Sequence, residues 1–195
     1  MALDASDISD LKTHLGQRSI VLIGLMGSGK SSVGKRLAAA LDLSFKDADT
    51  EIEVAANMTV SEIFEAHGEE AFRSGEQRVI ARLLSEGPQV LATGGGAWIN
   101  EITRQEVDSH GVSIWLDADL DVLLERVGRR SNRPLLQRGD PRKIMQNLLN
   151  ERNPFYQQSD IRIISRDVPH ETVVEEIAQA VLSHLRAANQ KSEKG

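Results

Sequence analysis

Near the start of the chain, Gly24-Leu-Met-Gly-Ser-Gly-Lys-Ser31 has the spacing G-x-x-x-x-G-K-S. Glycines in this pattern let successive backbone N–H groups turn inward around phosphate oxygens, and a helix starting there adds the positive end of its dipole. Gly27, Ser28, Gly29 and Ser32 belong to this cradle, Lys30 can reach the β and γ phosphates, and Ser31 can ligate magnesium. The competing reading, a glycine-rich turn that only caps an amphipathic helix, is disfavoured because a strand precedes the motif and a helix follows it. The motif establishes phosphate binding and leaves the reaction open, since the same loop serves kinases, GTPases and motor ATPases.

Three further groups could complete a phosphoryl-transfer site. In Asp47-Ala-Asp49, residues i and i+2 at a strand end would point two carboxylates into one crevice. One could help to hold magnesium through water, and the other could orient an acceptor hydroxyl and take its proton; a solvated loop or an N-cap for the next helix is the alternative. In Thr93-Gly-Gly-Gly96, Gly94, Gly95 and Gly96 let the backbone approach a ligand closely and offer N–H groups to a carboxylate or hydroxyl; a flexible turn is the alternative. The arginines form the last group: Arg73, Arg126, Arg129, Arg130, Arg133 and Arg152. In an acidic chain, a polar segment rich in arginine between Gly128 and Gly139 suits a lid that closes over ATP, with Arg133 before Pro134 as its strongest member. Arg129 and Arg130 also fit a solvated, salt-bridged helix end.

Elements must hold these residues. Short β-branched runs predict strands at 19–23, 45–47, 89–92, 112–116 and 161–164. Helical spacing of apolar residues predicts helices from Lys30 to Leu41, two or three over 52–84, one near 120–127, one from Pro141 to about Tyr156, and a last one around 173–185. Strands joined by helices imply an α/β fold with a parallel, doubly wound sheet whose ligands sit beyond the carboxyl ends of the strands. Residues 1–18 read as an accessory segment, 19–187 as one domain with a lid at about 127–140, and 188–195 as a tail.

Composition narrows the class. A chain of 195 residues with 40% apolar and 27% charged residues has enough apolar matter for one packed domain. Its net charge of −6 offers no global attraction for nucleic acid or anionic lipid, so an anionic substrate must be held by local arginines. With no cysteine there is no disulfide, thiolate metal site or cysteine nucleophile. The acidic N-terminus lacks the pattern of a secretory signal, and no apolar run approaches the roughly 18 residues of a membrane span. A cytoplasmic protein is expected.

Taken in order, the GLMGSGKSSVG loop, the D-x-D at Asp47 and Asp49, Phe72-Arg73 with Glu76, Gly94-Gly-Gly96, Arg133-Pro-Leu-Leu136, and R-x-P-x-Y at Arg152, Pro154 and Tyr156 resemble the shikimate kinase family from about Ser19 to Leu185. The resemblance implies a three-layer α/β/α P-loop kinase fold with a five-stranded parallel sheet and a mobile lid. It implies transfer of the γ-phosphoryl group of ATP to the 3-hydroxyl of shikimate, with Mg²⁺, by a monomer that binds neither nucleic acid nor membrane. It casts Asp49 as substrate partner and base, Asp47 as magnesium partner through water, and Lys30, Ser31 and Arg133 as phosphate, magnesium and lid residues. Arg73, Arg152 and residues 94–96 become the grip on shikimate, and Arg126 a neighbour of adenine. Two departures stand out: the extension before Ser19, and Phe155 where Pro-Leu-Tyr is more usual. A gluconate-kinase-like enzyme should lack this combination. A GTPase would need N-K-x-D, which does not occur, and a silent shikimate-binding regulatory module need not keep every charged residue.

Overall fold

The computed structural model describes residues 4–128 and 139–192, with side chains described as far as residue 190. A five-stranded parallel sheet runs β2-β3-β1-β4-β5. Its strands are β1 (Ser19–Ile23), β2 (Ser44–Asp47), β3 (Gln89–Ala92), β4 (Gly111–Asp117) and β5 (Ile161–Ile164). Each expected strand is present within a residue of its expected ends. The reason is that β1 and β3 are buried along their whole length, so they must be continuous apolar runs.

The helices are α1 (Ala5–Leu15), α2 (Lys30–Leu41), α3 (Ala48–Ala56), α4 (Val60–Ser85), α5 (Glu101–His110), α6 (Leu120–Gly128), α7 (Pro141–Tyr156) and α8 (His170–Ser192). They cover both faces. On one, α1, α2 and α8 pack Leu11, Leu15, Val33, Leu37, Val181 and Leu185 against Ile20, Leu22 and Ile114. On the other, Ile80, Leu83 and Leu84 of α4 meet Val21, Ile23, Leu91, Trp98, Trp115 and Tyr156. Alternate residues of β1 thus feed opposite layers.

Three local features differ from the sequence reading. The N-terminal residues supply α1, whose Leu11 and Leu15 are fully enclosed by the core, with Asp10 pairing Arg186 of α8. At the other end α8 continues to Ser192, through residues expected as tail. Helix α5 had no sequence expectation. Only Thr103 and Val107 of its ten residues are buried while Ile102 is half exposed, so no apolar repeat announces it. Its N-cap, Asn100, which accepts from the N–H groups of Ile102 and Thr103, is the signal that was available. Helix α4, by contrast, fits the expectation of two or three helices over 52–84: after α3 it is two helical pieces joined at Gly68 (φ 80°, ψ 174°), begun by a capping box between Thr59 and Glu62. The central part of the expected lid, with Arg129, Arg130 and Arg133, lies outside the described residues.

Because Leu11 is enclosed between α1 and the core, Leu11→Ala should cost about 2–5 kcal/mol of unfolding free energy, the range for truncating a buried leucine. Urea unfolding followed by circular dichroism measures it, and a loss near zero would make α1 an appendage.

Candidate active site

Strand β1 ends at Ile23 and the chain enters the glycine loop, whose backbone passes so close to its neighbours that side chains are excluded. A Cβ on Gly27, which has φ +85°, would stand 2.9 Å from Val127 Cγ2 and 3.1 Å from the Leu123 carbonyl oxygen. Helix α2 begins at Lys30. Lys30 Nζ donates to the carbonyls of Gly24 (2.8 Å) and Leu25 (3.1 Å), while Ser31 Oγ donates to Asp47 Oδ2 (2.7 Å). A groove of about 440 Å³, within the usual range for a small-molecule site, is lined here by Gly27, Gly29, Lys30, Ser31, Ser32 and Asp49 among others.

The two aspartates are not both on a strand, as the i, i+2 reading expected. Asp47 is the last residue of β2 and the N-cap of α3, its Oδ1 accepting from the Asp49 N–H (3.2 Å), whereas Asp49 lies in the first turn of α3. Both the capping role and the crevice role are therefore realised, because one carboxylate oxygen caps the helix and the other meets Ser31. Burial, reinforced by the Asp47 carboxylate, raises the Asp49 pKa above the ordinary aspartate value, against the pull of Lys30 and Arg73.

The triple glycine is where several charged side chains meet. A Cβ on Gly94 would fall 2.6 Å from Glu76 Oε1 and 2.9 Å from Asp49 Oδ1. One on Gly95 would fall 3.2 Å from Arg152 Nη1, and one on Gly96 2.6 Å from Arg73 Nη2. Side chains from α3, α4 and α7 thus converge on one turn after β3. Tyr156 holds this turn by donating its hydroxyl to the Gly95 carbonyl, and burial pushes its pKa up to about 12. The Gly95 Cβ position is also 3.5 Å from the Gly24 carbonyl oxygen, so this turn abuts the glycine loop.

Arg73 is oriented by Glu76, with Nη1 to Oε2 at 2.7 Å. Glu76 is only 2% exposed, and burial raises its pKa despite the arginine. Sequence reasoning named Glu76 within a motif but gave it no place in the site. The available signal was an arginine and a glutamate three residues apart on one helix face.

Arg126 lines the groove, and its guanidinium donates to Ser165 Oγ (2.8 Å) and to the Arg166 carbonyl (2.9 Å). Ser165 Oγ in turn donates to the Ser28 carbonyl (2.9 Å). The wall formed by Ser165, Arg166, Asp167 and Val168 was missed by sequence reasoning. These residues follow β5, and the rule placing ligands beyond strand ends would have found them. Among the described residues, no three His, Asp or Glu side chains gather as a metal cluster, and no helix is long and apolar enough to cross a membrane.

A parallel sheet whose central strand opens into a glycine cradle, with carboxylates and arginines gathered beside it, defines a P-loop kinase acting on a small molecule. Comparison with known proteins narrows this class. The family model described as Shikimate kinase matches residues 26–184. A shikimate kinase of Bradyrhizobium diazoefficiens is 56% identical over 185 residues, covering 95% of this chain and 89% of that protein. The solved shikimate kinase from Acinetobacter baumannii in complex with shikimate superposes with a TM-score of 0.83 at 36% identity, covering 89% of this chain and 97% of that one. A gluconokinase from Sinorhizobium meliloti, with a TM-score of 0.58 at 21% identity over 92% of this chain and 98% of that one, shares the fold. The chain belongs to the shikimate kinase family and is an ATP-dependent kinase.

The buried charge on Asp49 has a cost that can be measured. A carboxyl whose folded pKa is raised weakens the fold once the pH exceeds that pKa, and no longer does so below the unfolded aspartate value. Asp49→Asn should therefore raise the thermal midpoint at neutral pH, by about 2–4 °C per kcal/mol relieved, and lose that advantage as the pH falls below the ordinary aspartate range. Calorimetry across pH checks this, and a midpoint lowered at neutral pH would contradict it.

Proposed function

We propose that the chain transfers the γ-phosphoryl group of ATP to the 3-hydroxyl of shikimate, yielding shikimate 3-phosphate and ADP on the route to chorismate and the aromatic amino acids. The observation that carries this reading is the turn at 94–96, where Asp49, Arg73 and Arg152 meet within contact of the phosphate loop. Two guanidinium groups suit a carboxylate, and a carboxylate beside them suits ring hydroxyls.

In this reading Arg73, held by Glu76, and Arg152 bind the substrate carboxylate, while backbone at 94–96 and Asp49 fix its hydroxyls. Asp49 accepts the proton of the attacking hydroxyl at a carboxylate oxygen, and its raised pKa makes it a better base. Backbone N–H groups of 27–32 and Lys30 oppose phosphate charge, and Arg126 lies along the groove towards the base. Arg133 is assigned to the closing segment on the resemblance alone. The hydroxyl and carboxylate oxygens of Ser31 and Asp47, 2.7 Å apart beside the cradle, are donors that suit a hard cation. Ser31 would hold Mg²⁺ directly and Asp47 through water. When bound, the ion supplies positive charge to the phosphate oxygens. A monomer is expected on the resemblance alone, and the lack of cysteine suits the cytoplasm.

In a coupled assay, Mg-ATP with shikimate should yield ADP. Turnover with gluconate and none with shikimate would overturn the substrate assignment, and binding of shikimate without turnover would favour a regulatory module. Asp49→Asn should lower kcat far more than it weakens ATP binding, as expected of a group acting on the acceptor hydroxyl. An unchanged kcat would remove Asp49 from the chemistry.

A further inference from the structure

Ser165, the first residue after β5, ties the wall of the groove to three other segments. It is 5% exposed, and both its backbone N–H and its hydroxyl are engaged. The N–H donates to the Asp117 carbonyl at the end of β4 (2.6 Å). The hydroxyl accepts from Arg126 Nη1 of α6 (2.8 Å) and donates to the Ser28 carbonyl in the glycine loop (2.9 Å). Because a cation occupies its acceptor side, the hydroxyl proton is directed to Ser28 and that bond is strengthened.

The Ser28 carbonyl shares a peptide unit with the Gly29 N–H. That unit is planar and trans, so turning the carbonyl toward Ser165 turns the Gly29 N–H the opposite way. Gly29 lines the groove, and its N–H is one of those that the loop motif devotes to phosphate. The units on either side are fixed, by the Ser28 N–H to the Leu25 carbonyl (3.1 Å) and by the Val33 N–H to the Gly29 carbonyl (2.9 Å). Ser165 fixes the one between them. Nothing in Gly29 itself would do so, since its φ of 99° and the value about 180° away that a peptide flip produces are both open to glycine. Packing around Gly29 is also loose, for a Cβ there would meet Val33 Cγ2 at 3.7 Å and Arg126 Nη1 at 3.9 Å.

We propose that Ser165 is a positioning residue for the nucleotide: its hydroxyl holds the Ser28–Gly29 peptide with the N–H presented to phosphate, and prevents a flip that would present the Ser28 carbonyl instead. Arg126 acts on the same peptide through Ser165, so a side chain placed toward the base also orders the cradle. The inference rests on the loop as a phosphate site and is independent of the acceptor.

Calorimetric titration with ADP, and with inorganic tripolyphosphate as a probe that has no base, tests it. Ser165→Ala should weaken both by the same factor, about threefold to tenfold, the range expected of one net hydrogen bond. Ser165→Cys, close in size but a weak donor, should do likewise and covers the case in which the alanine variant does not fold. Ser165→Thr keeps the hydroxyl and should retain the wild-type affinities. Unchanged ADP affinity in the alanine or cysteine variant, with only the thermal midpoint lowered, makes Ser165 a contact of the fold and overturns the proposal. Weaker ADP binding with tripolyphosphate unchanged overturns it too, because Ser165 would then act through Arg126 on the base. Lys30→Met separates the underlying reading. ADP affinity untouched by Lys30→Met removes the cradle itself, whereas a loss there and none in the Ser165 variants overturns Ser165 alone.

Discussion

The arrangement depends on a backbone turn with no side chains of its own. At residues 94–96 the chain leaves β3 as three glycines, and the Cβ positions they lack are occupied by Asp49 and Glu76, by Arg152, and by Arg73. Charges drawn from three helices are stable at such density only because two carboxylates stand beside two arginines and the backbone supplies dipoles without bulk. A methyl group at any of these positions would press on a charged group already held by its neighbours. The turn thereby determines where α3, α4 and α7 can stand relative to the sheet.

The phosphate loop obeys the same constraint on the neighbouring strand. Its glycines pass against Leu116 of β4 and Leu123 and Val127 of α6, which sets the cradle at the end of β1, beside the glycine turn. Because β1 is central in the order β2-β3-β1-β4-β5, with β3 on one side and β4 on the other, the glycine loop after β1 and the glycine turn after β3 are adjacent by topology. Burial then tunes the chemistry. Asp49 and Glu76 both lie where desolvation raises their pKa, but Glu76 is paired with Arg73, whereas Asp49 faces the groove. Two carboxyls in one shell therefore stand in different settings, one orienting an arginine and the other left facing the groove.

Stability is supplied away from the site. The layer of α1, α2 and α8 contains the larger apolar cluster, and α1 belongs to it through Leu11 and Leu15. The face that carries α4 and α7 joins packing to function, since Trp98 Nε1 donates to the Phe155 carbonyl (2.9 Å) and so ties the segment after the glycine turn to the helix that carries Arg152. Rigid packing there limits how far the anchors can drift.

By itself the sequence determined the elements whose signals are local. Continuous apolar runs announced the buried strands, the G-x-x-x-x-G-K-S spacing announced the cradle, and the ordered motifs from Asp47 to Tyr156 announced the family. Helix α5 escaped because two buried positions in ten residues leave no periodic trace. The docking of α1 escaped because burial of Leu11 and Leu15 depends on α8, nearly the whole chain away. Tertiary structure alone decided that Asp47 both caps a helix and meets Ser31, that Glu76 orients Arg73, and that the loop after β5 walls the groove. Each of these depends on distances between segments far apart in sequence, set by how the layers pack on the sheet, and residue types and spacings along one segment carry no record of such distances.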